Sequence, residues 1–222
     1  MRPLTRFSRV KQKPESKCAP ERRSKPMRLA ELPFDLRWLN RPKRWSQAGG
    51  DVTITADPRT DWFVNPQGGE PRTNAPALVG DVHGDFLLSS HVEVDFASAY
   101  DAGAFALWKN DRTWAKLCYE FSPQRKPMVI SVVTRGVSDD CNSLVVDRSG
   151  IWLRISRIGQ AFVFHASADG SWWNLVRHFA FAEGDALSVG FLAQSPVGEE
   201  CTARFSRIRF QQATLADLRD GR

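Results

Sequence analysis

In two places this sequence sets an indole two residues ahead of a cation: Trp114-x-Lys116, followed by Glu120, and Trp152-x-Arg154. On an extended strand, residues two apart point the same way, so each indole shares a face with its cation. A flat apolar ring beside directional donors and acceptors suits a sugar ring. The sugar's C–H face lies on the indole, and its hydroxyls bond to Lys, Arg and carboxylate. An apolar platform with a few convergent polar groups is also the general character of a ligand cleft. We therefore expect a groove lined by Trp62, Trp114, Lys116, Glu120, Trp152 and Arg154 on one sheet, with Asp61, Tyr100 and Asp101 on loops at its rim. Each of these side chains also has a purely structural role open to it. A lysine stem can simply cover an indole, and Glu120 can be a cross-strand partner of Lys116 or Arg154.

Other chemistries find less support. His83, His91, His165 and His178 are scattered. Cys18, Cys118, Cys141 and Cys201 form no Cys-x-x-Cys pair and have no histidine at ligand spacing, which argues against zinc. Gly68-Gly69 lacks the Lys-Ser/Thr and helix of a phosphate loop. Ser167-Ala168-Asp169-Gly170-Ser171 lacks the strand-to-helix setting of a nucleophile elbow. Asp139 and Asp140 could serve calcium, but no ordered oxygen-ligand loop surrounds them. We expect no cofactor and no metal.

The elements that must position these residues are strands. From Phe86 to Phe96 the alternation is nearly strict: Phe86, Leu88, Val92, Val94 and Phe96 face one way, with Ser90 the single polar interruption. In 114–121, Ala115, Leu117, Tyr119 and Phe121 form the apolar side. In 151–157, Ile151, Leu153 and Ile155 do. Over 173–181 the pattern blurs. Further short runs fall at 51–56, 103–108, 128–134, 143–146, 160–167, 187–193 and 202–210, split by turn residues such as Asn110-Asp111, Ile158-Gly159 and Asp169-Gly170. About a dozen strands without intervening helical patterns predict one all-β sandwich of two antiparallel sheets. Only 213–219 reads as helical.

The 222 residues carry a net charge of +6, unevenly spread. Residues 1–30 hold ten Lys/Arg and two acids, so the remaining 21 basic and 23 acidic residues nearly balance. With no basic cluster evident beyond Arg44, nucleic acid is not expected on the folded domain. We expect residues 1–30 to be a disordered basic tail, 31–213 the sandwich, and 214–222 a short tail or helical turn. Met27, where the composition changes, is a second candidate translation start. The N-terminus has no apolar run of signal-peptide length, and no stretch reaches membrane-span length. A cytoplasmic protein with reduced thiols is expected.

An ordered series of motifs resembles domain-of-unknown-function family 1349, one yeast member of which is described as a regulator of enolase. The series runs through Trp38-Leu39-Asn40-x-Pro42-x-x-Trp45, Thr60-Asp61-Trp62-Phe63, Asp85-Phe86, Tyr100-Asp101-Ala102-Gly103 and Trp114-x-Lys116-x-x-x-Glu120. It continues through Ser131-Val132-Val133-Thr134, Ser138-Asp139 and Ser167-x-Asp169-Gly170 to Arg177 and Gly190…Ser195-Pro196. The resemblance spans about residues 34–211 and implies a concanavalin A-like jelly roll, related in fold to lectins and glucanases. It carries no established reaction. Two departures stand out: Asp140 replaces a tryptophan, and a glutamine is missing between Asp101 and Ala102.

Glucanases of that fold carry Glu-x-Asp-x-x-Glu on one strand. Here Glu93 and Asp95 match, but Ser98 replaces the third acid, so the pair reads as solvent-facing. The leading expectation is thus a non-catalytic module for a carbohydrate or small polar ligand. A glycan-modifying enzyme using Glu120 and Asp101 is the first alternative, since retaining hydrolysis needs two carboxyls about 5–5.5 Å apart. A cytosolic module for a protein partner is the second.

Overall fold

The computed structural model describes residues 26–222 except 182, 183 and 185. Sixteen strands follow in chain order: β1 (Arg37–Leu39), β2 (Arg44–Ala48), β3 (Asp51–Ala56), β4 (Trp62–Phe63), β5 (Arg72–Thr73), β6 (Ala77–Val82), β7 (Phe86–Val94) and β8 (Ala102–Asn110). The series continues with β9 (Thr113–Phe121), β10 (Pro127–Arg135), β11 (Val137–Val145), β12 (Gly150–Ile158), β13 (Ala161–Ser167), β14 (Asn174–Ala180), β15 (Leu187–Gln194) and β16 (Cys201–Gln211). Two seven-stranded antiparallel sheets form a sandwich. The first runs β1-β6-β15-β8-β9-β10-β11 and the second β14-β13-β12-β7-β16-β3-β2. The short pair β4–β5 stands apart as a flap.

Alternation builds the filling between the sheets. Phe86, Leu88, Val92, Val94 and Phe96 of the second sheet meet Ala115, Leu117 and Tyr119 of the first, together with Ile151, Leu153 and Ile155. Phe96 packs edge-on to Tyr119 with centroids 4.9 Å apart, and Phe105, Phe191 and Phe205 cluster at the centre. Each such buried aromatic contributes about 1.5–3 kcal/mol through lost water contact.

The blurred pattern of 173–181 has a local cause. Phe164 pairs with Arg177 but His165 pairs with Leu175, so Val176 is an extra residue that shifts the phase of β14. Val176 and Phe179 therefore both pack on the core, and Arg177 turns to the sheet edge to pair with Asp139 at 3.0 Å.

Two boundaries differ from expectation. The proposed basic tail over residues 1–25 lies outside the described residues, but residues 26–30 belong to the fold. Met27 bridges to Leu36, and Leu29 is fully buried in the core. Residues 214–222 form a hydrogen-bonded turn at 217–222 and no helix. This turn lies on the outer face of the second sheet, where Leu218 and Gly221 offer their carbonyls to His165 and Arg154.

Candidate functional site

The first sheet's outer face has a small apolar cluster of its own beneath the flap. Ala102, Ala104 and Ala106 of β8 alternate with the core-facing Phe105 and Leu107. Their small side chains leave a trough between larger neighbours. Across it, Gln194 of β15 and Glu120 of β9 both pair with Ala102, while Lys116 pairs with Ala106 and Val132. Asp140 of β11 pairs with Val132 on the far side. Sheet register alone thus brings Lys116, Glu120, Gln194 and Asp140 to one patch. The segment ahead of the flap adds Asp61.

These side chains floor a cavity of about 320 Å³ whose rim includes Phe63, Arg72, Tyr100, Pro196 and Val197. Lys116 Nζ donates to Gln194 Oε1 at 2.7 Å and to Asp61 Oδ1 at 3.3 Å. The Gln194 amide nitrogen donates to the Tyr100 carbonyl at 3.0 Å and reaches Glu120 Oε2 at 3.5 Å. Tyr100 is 40% exposed and holds a left-handed backbone at φ 68°, a strained conformation for a bulky residue.

Charge in this patch is unbalanced, with three carboxyls around one buried ammonium. Burial works against the Lys116 charge, but Asp61, Cys118 and Glu120 outweigh it and hold the pKa above its ordinary value. Glu120 is only 6% exposed. Burial first, and then Asp140, Asp61 and Asp101, push its pKa up to about 8 against the pull of Lys116. Glu120 therefore holds its proton far more tightly than an exposed carboxyl does, and in that form it can donate a hydrogen bond. Burial likewise raises Asp140, and burial raises the Cys118 and Cys201 thiols, which makes both unreactive. Among the described residues no group of three His, Cys, Asp or Glu side chains is placed to hold a metal ion.

Of the nine residues expected at a groove, Asp61, Tyr100, Lys116 and Glu120 meet in this cavity. Trp62 and Trp114 lie on the same face but pack on each other, 5.5 Å apart, with 2% and 0% exposure. They back a separate hollow of about 340 Å³ with Trp38, Asn40, Trp108 and Asp111, across the flap from the cavity. Neither indole offers an open ring face, because Trp62, itself part of the flap, packs down on Trp114 and both are buried.

Asp101 is fully buried and structural. Its carboxylate accepts from the Ala97 and Ser98 amides at 3.0 and 2.8 Å and from Ser195 Oγ at 2.8 Å. It is not among the side chains lining the cavity, so the geometry does not support a pair with Glu120.

Trp152 and Arg154 are corrected outright. Both point outward, as alternation required, but from β12 of the second sheet, on the opposite side of the molecule from Trp114. One groove on one sheet cannot contain both Trp-plus-cation motifs. Arg154 stacks on Trp173 at 4.2 Å and donates to the Gly221 carbonyl at 2.8 Å. Burial brings its pKa down to about 10. Glu93, read as solvent-facing, is on this second outer face and pairs with Arg204 at 3.3 Å.

Sequence reasoning missed Gln194, Asp140, Arg72 and Phe63 as cavity residues. Asp140 carried a signal, since it stands where the resembling family has tryptophan. Gln194 ends a strand whose register no local pattern reveals.

Comparison with known proteins agrees with this architecture. A protein of Saccharomyces cerevisiae named "Regulation of enolase protein 1" is 29% identical over 160 residues, 72% of this chain and 80% of that one. The crystal structure of a functionally unknown protein from Saccharomyces cerevisiae superposes with a TM-score of 0.76 at 28% identity, covering 82% of this chain and 97% of the other. The GH43 BlXynB protein from Bacillus licheniformis gives 0.62 at 13% identity over 80% of this chain and 37% of that protein, a likeness of fold alone. Residues 38–213 match the family described as protein of unknown function, DUF1349. With four-fifths of its length inside that match, and with the two-sheet sandwich in place, this chain belongs to the DUF1349 family.

Proposed function

We propose that the cavity on the outer face of the first sheet binds a small polar ligand of the carbohydrate class, without catalysis. One observation carries this reading: Lys116, Glu120 and Gln194, each nearly buried, converge on the floor of an open cavity instead of in a packed core. Burying such groups is costly for folding. Strongly perturbed side chains in a cleft mark functional sites. The floor offers an ammonium, an amide, a protonated carboxyl and the Asp61 carboxylate, a donor and acceptor mixture matched to vicinal hydroxyls. Phe63, Tyr100, Pro196 and Val197 supply the apolar rim for C–H faces. The expected indole platforms play no part in this version, because their rings are covered.

Calorimetric titration with a panel of neutral mono- and oligosaccharides tests the reading. We expect at least one to saturate at one site, and Lys116→Met to weaken it at least tenfold. No saturable binding across the panel, or binding untouched by Lys116→Met, rejects it.

The protonated Glu120 favours one second reading, a glycan-modifying enzyme with Glu120 as general acid. Asp61 or Asp140 would then replace Asp101 as its carboxylate partner, since these two line the cavity. Turnover that disappears in Glu120→Gln, with folding intact, would support it. The protein-partner alternative draws on the name of the yeast relative, and affinity capture that competes with no sugar would favour it. No helix among the described residues is long and apolar enough to cross a membrane. A cytoplasmic location remains our expectation, to be checked by fractionation.

A further inference from the structure

The outer face of the second sheet carries a cluster that the cavity does not use. Register places its side chains in rows across three adjacent strands: Trp152, His91 and Ser206 in one, and Arg154, Ser89 and Arg209 in the next. Neighbouring strands lie about 4.8 Å apart, so the Arg154 and Arg209 backbones are about 10 Å apart with a serine between them.

A β-bulge adds a third guanidinium. Ser206 pairs with His91 and Arg209 with Ser89, so Arg207 and Ile208 together oppose Ser90. Ile208 enters the core, while Arg207 and Arg209 both emerge exposed. Arg207 holds φ 52°, a left-handed conformation that glycine would adopt without steric cost. Ser90, the lone polar residue of its apolar face, supports the bulge by donating to the Ser206 carbonyl at 2.7 Å. Without the extra residue, Arg209 would point into the core.

Both guanidiniums lie over one indole, 5.8 and 5.9 Å from the Trp152 ring centre. That ring is held in place by the turn at Gly170, where even a Cβ would come within 2.7 Å of it. None of Arg154, Arg207 and Arg209 has a carboxylate within ion-pair distance among the described residues. Arg204 on the same strand, by contrast, is held by Asp51 and Glu93. In the adjoining C-terminal turn, Asp217 accepts from the Arg219 amide and Asp220 pairs with Arg222. Beneath the cluster, Arg154 Nε and Ser156 Oγ are buried without a partner.

We infer that this face binds a phosphate or sulfate ester group among Arg154, Arg207 and Arg209. Two guanidiniums lie over the Trp152 indole and a third, Arg154 in the adjoining row, stacks on Trp173. None has a counter-charge within ion-pair distance among the described residues, and the Arg154 Nε and Ser156 Oγ donors remain unused. A tetrahedral oxyanion presents three terminal oxygens in three directions and accepts from guanidiniums through short charge-assisted bonds. A planar carboxylate matches a single fork and would leave the other two arginines unanswered. The ester's source is either a phosphorylated small molecule or a sulfated glycan.

The test is titration of the full chain with glucose 6-phosphate, glucose 6-sulfate and glucose at one fixed ionic strength. Arg207→Ala/Arg209→Ala is the test variant, and Arg204→Ala, on the same strand but held by Asp51 and Glu93, is the control. Arg207 and Arg209 are exposed, so the double variant should fold, which circular dichroism checks. We expect one ester or both to saturate and to bind more tightly than glucose, with affinity at least tenfold lower in the double arginine variant and unchanged in Arg204→Ala. Whichever ester binds more tightly identifies the source. Esters that bind no better than glucose, fail to saturate, or ignore the double substitution would overturn the assignment.

Discussion

The two outer faces of the sandwich carry the same local motif, an indole two residues before a cation, yet the motif ends in opposite electrostatic settings. On the first sheet, Lys116 lies among Asp61, Glu120 and Asp140, under a flap that seals Trp114. On the second, Arg154 has an indole and a backbone carbonyl for company and, among the described residues, no carboxylate within ion-pair distance. The difference comes from neighbours several strands away: small alanines and acids beside Lys116, a bulged arginine strand near Arg154. An i, i+2 pattern says which side of a strand a residue takes. What waits on that side is decided by sheet order.

The sharpest contrast lies between the two tryptophans. Trp114→Ala empties a site closed by the flap and should cost about 4 kcal/mol in chemical denaturation. Trp152→Ala should cost clearly less, because His91 and two flexible arginine stems can settle into the space. Equal losses would mean that the two faces are packed alike.

The cations come next. Lys116→Met strands the buried carboxyl cluster without its counter-ion and should destabilise by about 2–3 kcal/mol, below the range for a fully enclosed pair because Asp61 touches solvent. Arg154→Met leaves no orphaned carboxylate and should be near neutral by the same measurement. A large loss in Arg154→Met would reveal a counter-charge on the second face.

Glu120 makes the first face pH-dependent in a defined direction. Its pKa is raised on folding from about 4.5 to about 8, so the folded state binds its proton more tightly than the unfolded chain does. The stability this adds is fully present below about pH 4.5 and is lost as pH rises through about 8. The difference in melting temperature between Glu120→Gln and the parent should therefore shift in favour of the variant across that window. A constant difference would place Glu120 in contact with water.

The smallest effect concerns the bulge. Ser90→Ala removes the donor to the Ser206 carbonyl and should cost about 1 kcal/mol. It should also loosen Arg207, read as faster amide exchange at 206–208. Unchanged exchange would show that the bulge stands without Ser90.

Much of the fold was legible because core-facing residues obey a period of two: Phe86 to Phe96, Ala115 to Phe121 and Ile151 to Ile155 all face as their alternation predicts. The edge strands β1 and β2, the strand β6 beside β1, and the flap were harder to see, since 37–39 and 62–63 are too short for a period to register. Of the site, the Lys116–Glu120 half was readable from one strand. Asp140 and Gln194 join it only through pairing across the sheet. Trp152 and Arg154 were misplaced for the same reason. Asp101 was read as a rim residue and as a carboxyl partner for Glu120, but its oxygens anchor the 97–101 loop. The R-x-R of β16 hid its outward charge because a regular strand would have pointed both arginines inward.

Backbone and side-chain NMR shift mapping during titration with a neutral oligosaccharide gives the most direct check on where this fold does its work. A ligand in the first-sheet cavity predicts saturable shifts at Tyr100, Lys116, Glu120, Asp140 and Gln194, with Trp152 and Arg154 silent. Shifts centred on Trp152 and Arg154, or no saturable shift with any sugar tried, would contradict it.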